Sequence, residues 1–99
     1  MPTVMIMRWE GVTPDQYDAV EKAVDWTNAA PAGGVHHVAW FTDGGLNVVD
    51  VWESEGEFNA FVESRLMPGV QQAGVEGEPK VEMHDTHRVY APGYDGSLR

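Results

Sequence analysis

The apolar positions of this chain recur with two different periods, and the changes of period mark its elements. Residues 3–9, Thr-Val-Met-Ile-Met-Arg-Trp, alternate with no charge before Arg8, which predicts a first strand. Thr13-Pro14-Asp15-Gln16 is a helix start: Thr13 can cap, Pro14 suits the first helical position, and Gln16 completes a capping box. Tyr17, Val20, Val24 and Thr27 then follow at helical spacing, predicting a helix to about Asn28. Ala30 to Gly34 reads as a loop. Two further strands, Val35 to Thr42 and Leu46 to Glu53, flank Asp43-Gly44-Gly45.

Asp-Gly between two strands predicts a two-residue type I′ turn, with both residues at positive φ. That turn sets the register. Thr42 faces Gly45, Phe41 faces Leu46, Ala39 faces Val48, His37 faces Asp50 and Val35 faces Trp52, all on one face. His36, Val38, Trp40, Asn47, Val49 and Val51 occupy the other. A three-residue loop would shift the pairing and separate His37 from Asp50.

Ser54-Glu55-Gly56-Glu57 is a second capping box, with two carboxylates where the helix dipole favours them. Phe58, Phe61, Val62, Arg65 and Leu66 continue at helical spacing. Pro68 is expected to break or kink this helix, and Val70 to Ala73 to add a last turn closed by Gly74. Lys80 to Tyr90 predicts a fourth strand, with the more apolar odd set (Val81, Met83, Asp85, His87, Val89) inward. Residues 1–90 make one domain, and residues 91–99 a C-terminal tail.

The order βαββαβ is that of an α+β, ferredoxin-like domain with a four-stranded antiparallel sheet. Its two helices cover one face of the sheet. The other face is also apolar here, so a second copy is the expected cover and a homodimer the expected assembly.

Composition narrows the function. The 99 residues include 16 acidic and six basic ones, and the net charge of −10 argues against nucleic-acid binding, which requires a cationic face. There is no cysteine, hence no thiolate nucleophile and no cysteine-held metal. No apolar run is long enough to span a membrane, and the N-terminus lacks the pattern of an export signal. The expectation is a cytoplasmic protein with neither a nucleic-acid nor a membrane partner.

The candidate chemistry lies on the hairpin. Facing residues of an antiparallel pair bring their Cβ atoms to about 4.5–5.5 Å, within reach of an imidazole–carboxylate contact. Asp50 would then select the tautomer of His37 and steady its protonated form, the arrangement of a general base. The same pair also suits a satisfied polar contact in a half-buried sheet. His87, on the inward set of the fourth strand, is a second catalytic candidate: it could approach His37 across a dimer, or simply meet solvent as an edge-strand histidine. Met5, Met7 and Trp9 on the first strand, with Phe41 and Trp52 on the hairpin, could line a cavity for a small apolar or aromatic molecule, or simply pack as core. No phosphate loop, nucleophile elbow or dinucleotide fingerprint is present.

The third strand ends in Val51-Trp52-Glu53-Ser54 and runs into Glu55 to Phe58. With the βαββαβ order, this resembles the dimeric α+β barrel superfamily, and within it the antibiotic-biosynthesis-monooxygenase-like domains, over residues 3–90. The resemblance implies a dimeric α+β barrel and a tryptophan, here Trp52, pointing into a cavity between sheet and helices. It also implies a choice among cofactor-free monooxygenases, haem-degrading enzymes, polyketide cyclases and isomerases. Haem degraders in that superfamily carry an axial histidine after the second helix, where this chain has Leu66, Met67 and Pro68.

The expectation is a cofactor-independent oxidoreductase, or an isomerase or cyclase, using His37 and Asp50 on a small enolisable or phenolic compound. The alternatives are a haem or divalent-metal protein using His37 or His87, with Asp50 completing a two-histidine, one-carboxylate ligand set, and a non-catalytic binder or dimeric scaffold.

Overall fold

A computed structural model describes residues 1–92. Of the expected tail, residues 93–99 lie outside the described residues. The elements are β1 (Thr3–Glu10), α1 (Pro14–Val24), β2 (Gly34–Thr42), β3 (Gly45–Trp52), α2 (Glu55–Phe61), a π-helical segment (Val62–Leu66), α3 (Met67–Ala73) and β4 (Lys80–Asp85). The strands form one antiparallel sheet in the order β2-β3-β1-β4. The fold is therefore the ferredoxin-like α+β plan, with both helical regions on one face.

That face holds the core. Met5, Met7 and Trp9 from β1 meet Leu46, Val48 and Trp52 from β3, and Val20, Val24, Phe58 and Val70 close over them from the helices. The opposite face leaves Val38 and Trp40 exposed by 45% and 44%.

The hairpin keeps the expected register from Thr42–Gly45 to His37–Asp50. The turn is different. Neither Asp43 nor Gly44 has positive φ, so it is not type I′; Gly45 instead takes φ of 126°. A side chain there would place its Cβ 2.6 Å from the carbonyl oxygen of Trp9, so this close approach of two backbones admits only glycine. At the far end of the hairpin, Val35 does not face Trp52. A register shift between Gly34 and His36 puts Gly34 opposite Trp52 and leaves Val35 as the extra residue of a bulge.

Both helix starts fall where expected, the first as a full capping box and the second with only the Ser54 half of one. Thr13 and Gln16 make a full capping box, and the Ser54 hydroxyl accepts from the Glu57 amide. Helix α1 ends four residues earlier than the spacing predicts, because Asp25 takes the left-handed conformation (φ 62°, ψ 43°) and donates its amide to the Glu21 carbonyl. Pro68 does not interrupt the second helical region. The π turn before it lets the Met67 amide reach Val62, which relieves the carbonyl crowding that proline causes inside an α-helix. Gly74, at φ 73°, closes α3 as expected. The fourth strand is shorter than predicted: it ends at Asp85, and Thr86 instead donates both its amide and its hydroxyl to the Pro2 carbonyl.

Candidate active site

Strands β2 and β3 place His37 opposite Asp50, and the pair is in contact: His37 Nδ1 lies 2.5 Å from Asp50 Oδ1. Asp50 is only 7% exposed. Its second oxygen accepts from Trp52 Nε1 at 3.1 Å, two residues along the same face of β3. The other nitrogen of His37, Nε2, lies 2.7 Å from the hydroxyl of Tyr17 on α1. Four side chains from three elements thus form one continuous chain of hydrogen bonds.

Its polarity follows from the donor inventory. The indole of Trp52 can only donate, and a carboxylate can only accept. With Asp50 as the carboxylate, His37 carries its proton on Nδ1 and donates it to Asp50. Nε2 is then the acceptor and the Tyr17 hydroxyl the donor. This tautomer is assigned from the network. Burial pushes the Tyr17 phenol above its ordinary range, and the carboxylates of Glu21, Asp50 and Asp18 push it the same way. Tyr17 therefore stays protonated at neutral pH, as its role of donor requires.

Aromatic rings hold the chain in place. Tyr17 lies nearly parallel to His37, with an interplanar angle of 7° and centroids 6.1 Å apart. Trp26 tilts over His37 at 5.5 Å and meets Tyr17 edge-on at 5.8 Å. The left-handed residue that ends α1 early is what swings Trp26 into this position. Arg65 pins the returning loop, donating through Nη2 to the carbonyls of Val24 (3.0 Å) and Ala29 (2.7 Å). Trp52 packs against Phe58 and Phe61, at 5.5 and 5.3 Å between ring centroids.

The chain borders a cavity of about 230 Å³ between sheet and helices. Its walls are mainly apolar, and Tyr17, His37 and Asp50 bring polar groups to it. An enclosed apolar space of about 150 Å³ already accepts benzene, so this one suits a molecule of one or two fused rings. Among the described residues no buried side-chain nitrogen or oxygen lacks a partner.

Met5, Met7, Trp9 and Trp52 all line this cavity, and Trp9 also donates its indole N–H to the Glu76 carbonyl. Phe41 does not line it; it packs edge-on against Tyr17, with centroids 6.1 Å apart, and supports the chain from behind. For His87 the correction concerns its place in the fold, not its approach to His37 across a dimer. It lies beyond the end of β4 and lines a separate depression with His36, Val4 and Val51, away from His37 and Asp50 in the protomer. Among the described residues no three metal-ligating side chains come together, so the set of His37, His87 and Asp50 is not assembled within the protomer. No helix among those residues is long and apolar enough to cross a membrane.

Tyr17 and Trp26 join this group of side chains without having been singled out from the sequence. Tyr17 was legible only as an apolar-phase position near the start of α1. Its distance of 20 residues from His37 carries no periodicity that pairs them.

Similar architectures are known. No protein-family profile matches the chain, and no curated protein matches it significantly. Among solved structures, a protein of unknown function from Nitrosomonas europaea aligns with a TM-score of 0.68 at 17% identity, over 94% of this chain and 96% of that one. SnoaB from Streptomyces nogalater, a cofactor-independent oxygenase solved in a mutant form, aligns with a TM-score of 0.62 at 13% identity, over 89% and 94%. A dimeric ferredoxin-like protein of unknown function from Thermobifida fusca aligns with a TM-score of 0.55 at 21% identity, over 87% and 92%. Candidate antibiotic biosynthesis monooxygenases are among the further matches. The resemblance read from the strand-to-helix motif is thus present in three dimensions: the chain has the fold these proteins share.

Proposed function

We propose that this protein is a cofactor-independent acid–base enzyme, monooxygenase-like or an isomerase or cyclase, acting on a small apolar molecule with an enolisable or phenolic group. The observation that carries the proposal is the placement of the His37–Asp50 pair on the wall of an otherwise apolar cavity. A base in such surroundings removes a proton while the apolar walls hold the ring. The resulting anion then meets oxygen or is reprotonated or cyclised. The cofactor-independent chemistry of SnoaB, on the same fold, favours the first outcome.

The test uses β-tetralone, an enolisable bicyclic ketone of suitable size. Release of tritium from its benzylic α carbon reports proton abstraction without requiring the later steps. The protein is expected to accelerate release, and His37→Gln to lose about 10²–10⁴-fold of that rate. Equal rates for the two proteins would refute the base.

We further propose that the outer sheet face is covered by a second copy. Val38 and Trp40 are exposed on it, beside half-buried Val4, Ile6, Val49 and Val51, and the Thermobifida fusca neighbour is described as dimeric. Light scattering on a sizing column should give twice the mass of one chain, and Trp40→Lys should give the monomer. A wild-type monomer at micromolar concentration would overturn this assembly.

A further inference from the structure

We infer that Tyr17 is the group that exchanges a proton with the bound molecule, with His37 acting as the base behind it. The inference rests on the reading of His37 and Asp50 as a general base and assigns the atom through which that base acts.

Neither ring nitrogen of His37 is free to meet a ligand. Nδ1 is held by Asp50 at 2.5 Å and Nε2 by the Tyr17 hydroxyl at 2.7 Å. Nor is Tyr17 placed to swing away. It sits in the first turn of a capped helix, its amide donating to the Thr13 carbonyl at 3.0 Å. Its ring is wedged edge-on against Trp26 and Phe41 and lies parallel to His37. Displacing it would break the hydrogen bond and these ring contacts together. Tyr17 itself lines the cavity, and its hydroxyl oxygen, after donating to His37, keeps a lone pair to accept a proton.

The step balances as a two-proton shift. A C–H or O–H bond of the ligand breaks, its electron pair stays on the ligand as an enolate or phenolate, and its proton forms a new O–H bond on Tyr17. The original Tyr17 O–H bond breaks as its proton forms an N–H bond on His37 Nε2. The imidazolium that results lies against Asp50, whose other oxygen is steadied by Trp52. No free tyrosinate forms, which suits a phenol that its surroundings keep protonated. Return of a solvent-derived proton along the same path reprotonates the ligand.

Tyr17→Phe preserves the ring and its packing and removes only the oxygen. In the β-tetralone assay it is expected to lower kcat by about 10²-fold or more, with KM unchanged. A variant that keeps or exceeds the wild-type rate would overturn the relay, since it would mean that uncovered His37 takes the proton directly. The wild-type protein supplies a second measurement that does not depend on the variant folding. In the relay, a solvent-exchangeable proton moves while the carbon–tritium bond breaks, so release should be slower in heavy water. Direct abstraction by His37 moves no such proton, and equal rates in the two solvents would also refute the relay. The failures are distinguishable. Loss of rate in His37→Gln but not in Tyr17→Phe removes the relay and leaves the base, whereas no release above His37→Gln by the wild type removes both.

Discussion

Asparagine in place of Asp50 should leave the fold intact and lower the rate of proton abstraction by about 10²–10⁴-fold. Two side chains converge on Asp50, His37 Nδ1 at 2.5 Å and Trp52 Nε1 at 3.1 Å. A carboxylate accepts from both. An amide offers one oxygen and one NH2 group, and the indole, which only donates, must take the oxygen. The NH2 group then faces His37 Nδ1, which accommodates it by giving up its proton. The ring moves to the opposite tautomer, with its hydrogen on Nε2. Nε2 then donates to the Tyr17 oxygen, and the phenol hydrogen alone loses its acceptor, so the stability cost is about that of one hydrogen bond, yet the nitrogen that must accept a proton now carries one. Nitrogen-15 NMR of the imidazole reads this directly: the protonated nitrogen should change from Nδ1 in the wild type to Nε2 in the variant. The same tautomer in both proteins, with activity retained, would show that Asp50 does not orient the base.

Trp52→Ala is expected to be the most damaging of these substitutions to stability, at about 3–5 kcal/mol for a buried aromatic truncated to alanine. Trp52 is 3% exposed and packs on Phe58 and Phe61. Its removal joins a new void to the existing cavity and leaves one oxygen of buried Asp50 without its donor. Domains of this size are stable by only about 5–15 kcal/mol, so the variant should unfold at markedly lower urea. Trp52→Phe separates the two contributions. It retains much of the packing and loses the N–H, and should cost about 1.5–3 kcal/mol, the range for a hydrogen bond to a charged group. Urea midpoints at one fixed protein concentration would measure both, since an oligomer's stability depends on concentration. An alanine variant within about 1 kcal/mol of wild type would mean that Trp52 is not the centre of this core.

Much of the molecule was legible in its local patterns. Strand alternation, helical spacing and two capping boxes located the elements, and their order specified the sheet. The His37–Asp50 contact was legible for the same reason: both residues lie on one hairpin, and a short connection determines which residues face each other. The register survived even though the turn is not type I′, because Gly45 absorbs the positive φ that Asp43 and Gly44 were expected to share.

The misreadings arose where the backbone departs from the conformation that the residue pattern predicts. Helical spacing continued to Thr27, yet Asp25 ends α1 and Trp26 turns onto His37. Pro68 is accommodated by the π turn before it. Alternation continued to Tyr90, yet β4 stops where β1, its partner, begins at Thr3, and His87 leaves the sheet. The sequence by itself determined the elements, their order and the two facing residues of one hairpin, because these depend on short-range geometry and periodicity. Only the tertiary structure decided that Tyr17 and Trp26 join that pair. Their positions depend on how α1 crosses the sheet, which side-chain packing across the core sets and no spacing along the chain encodes.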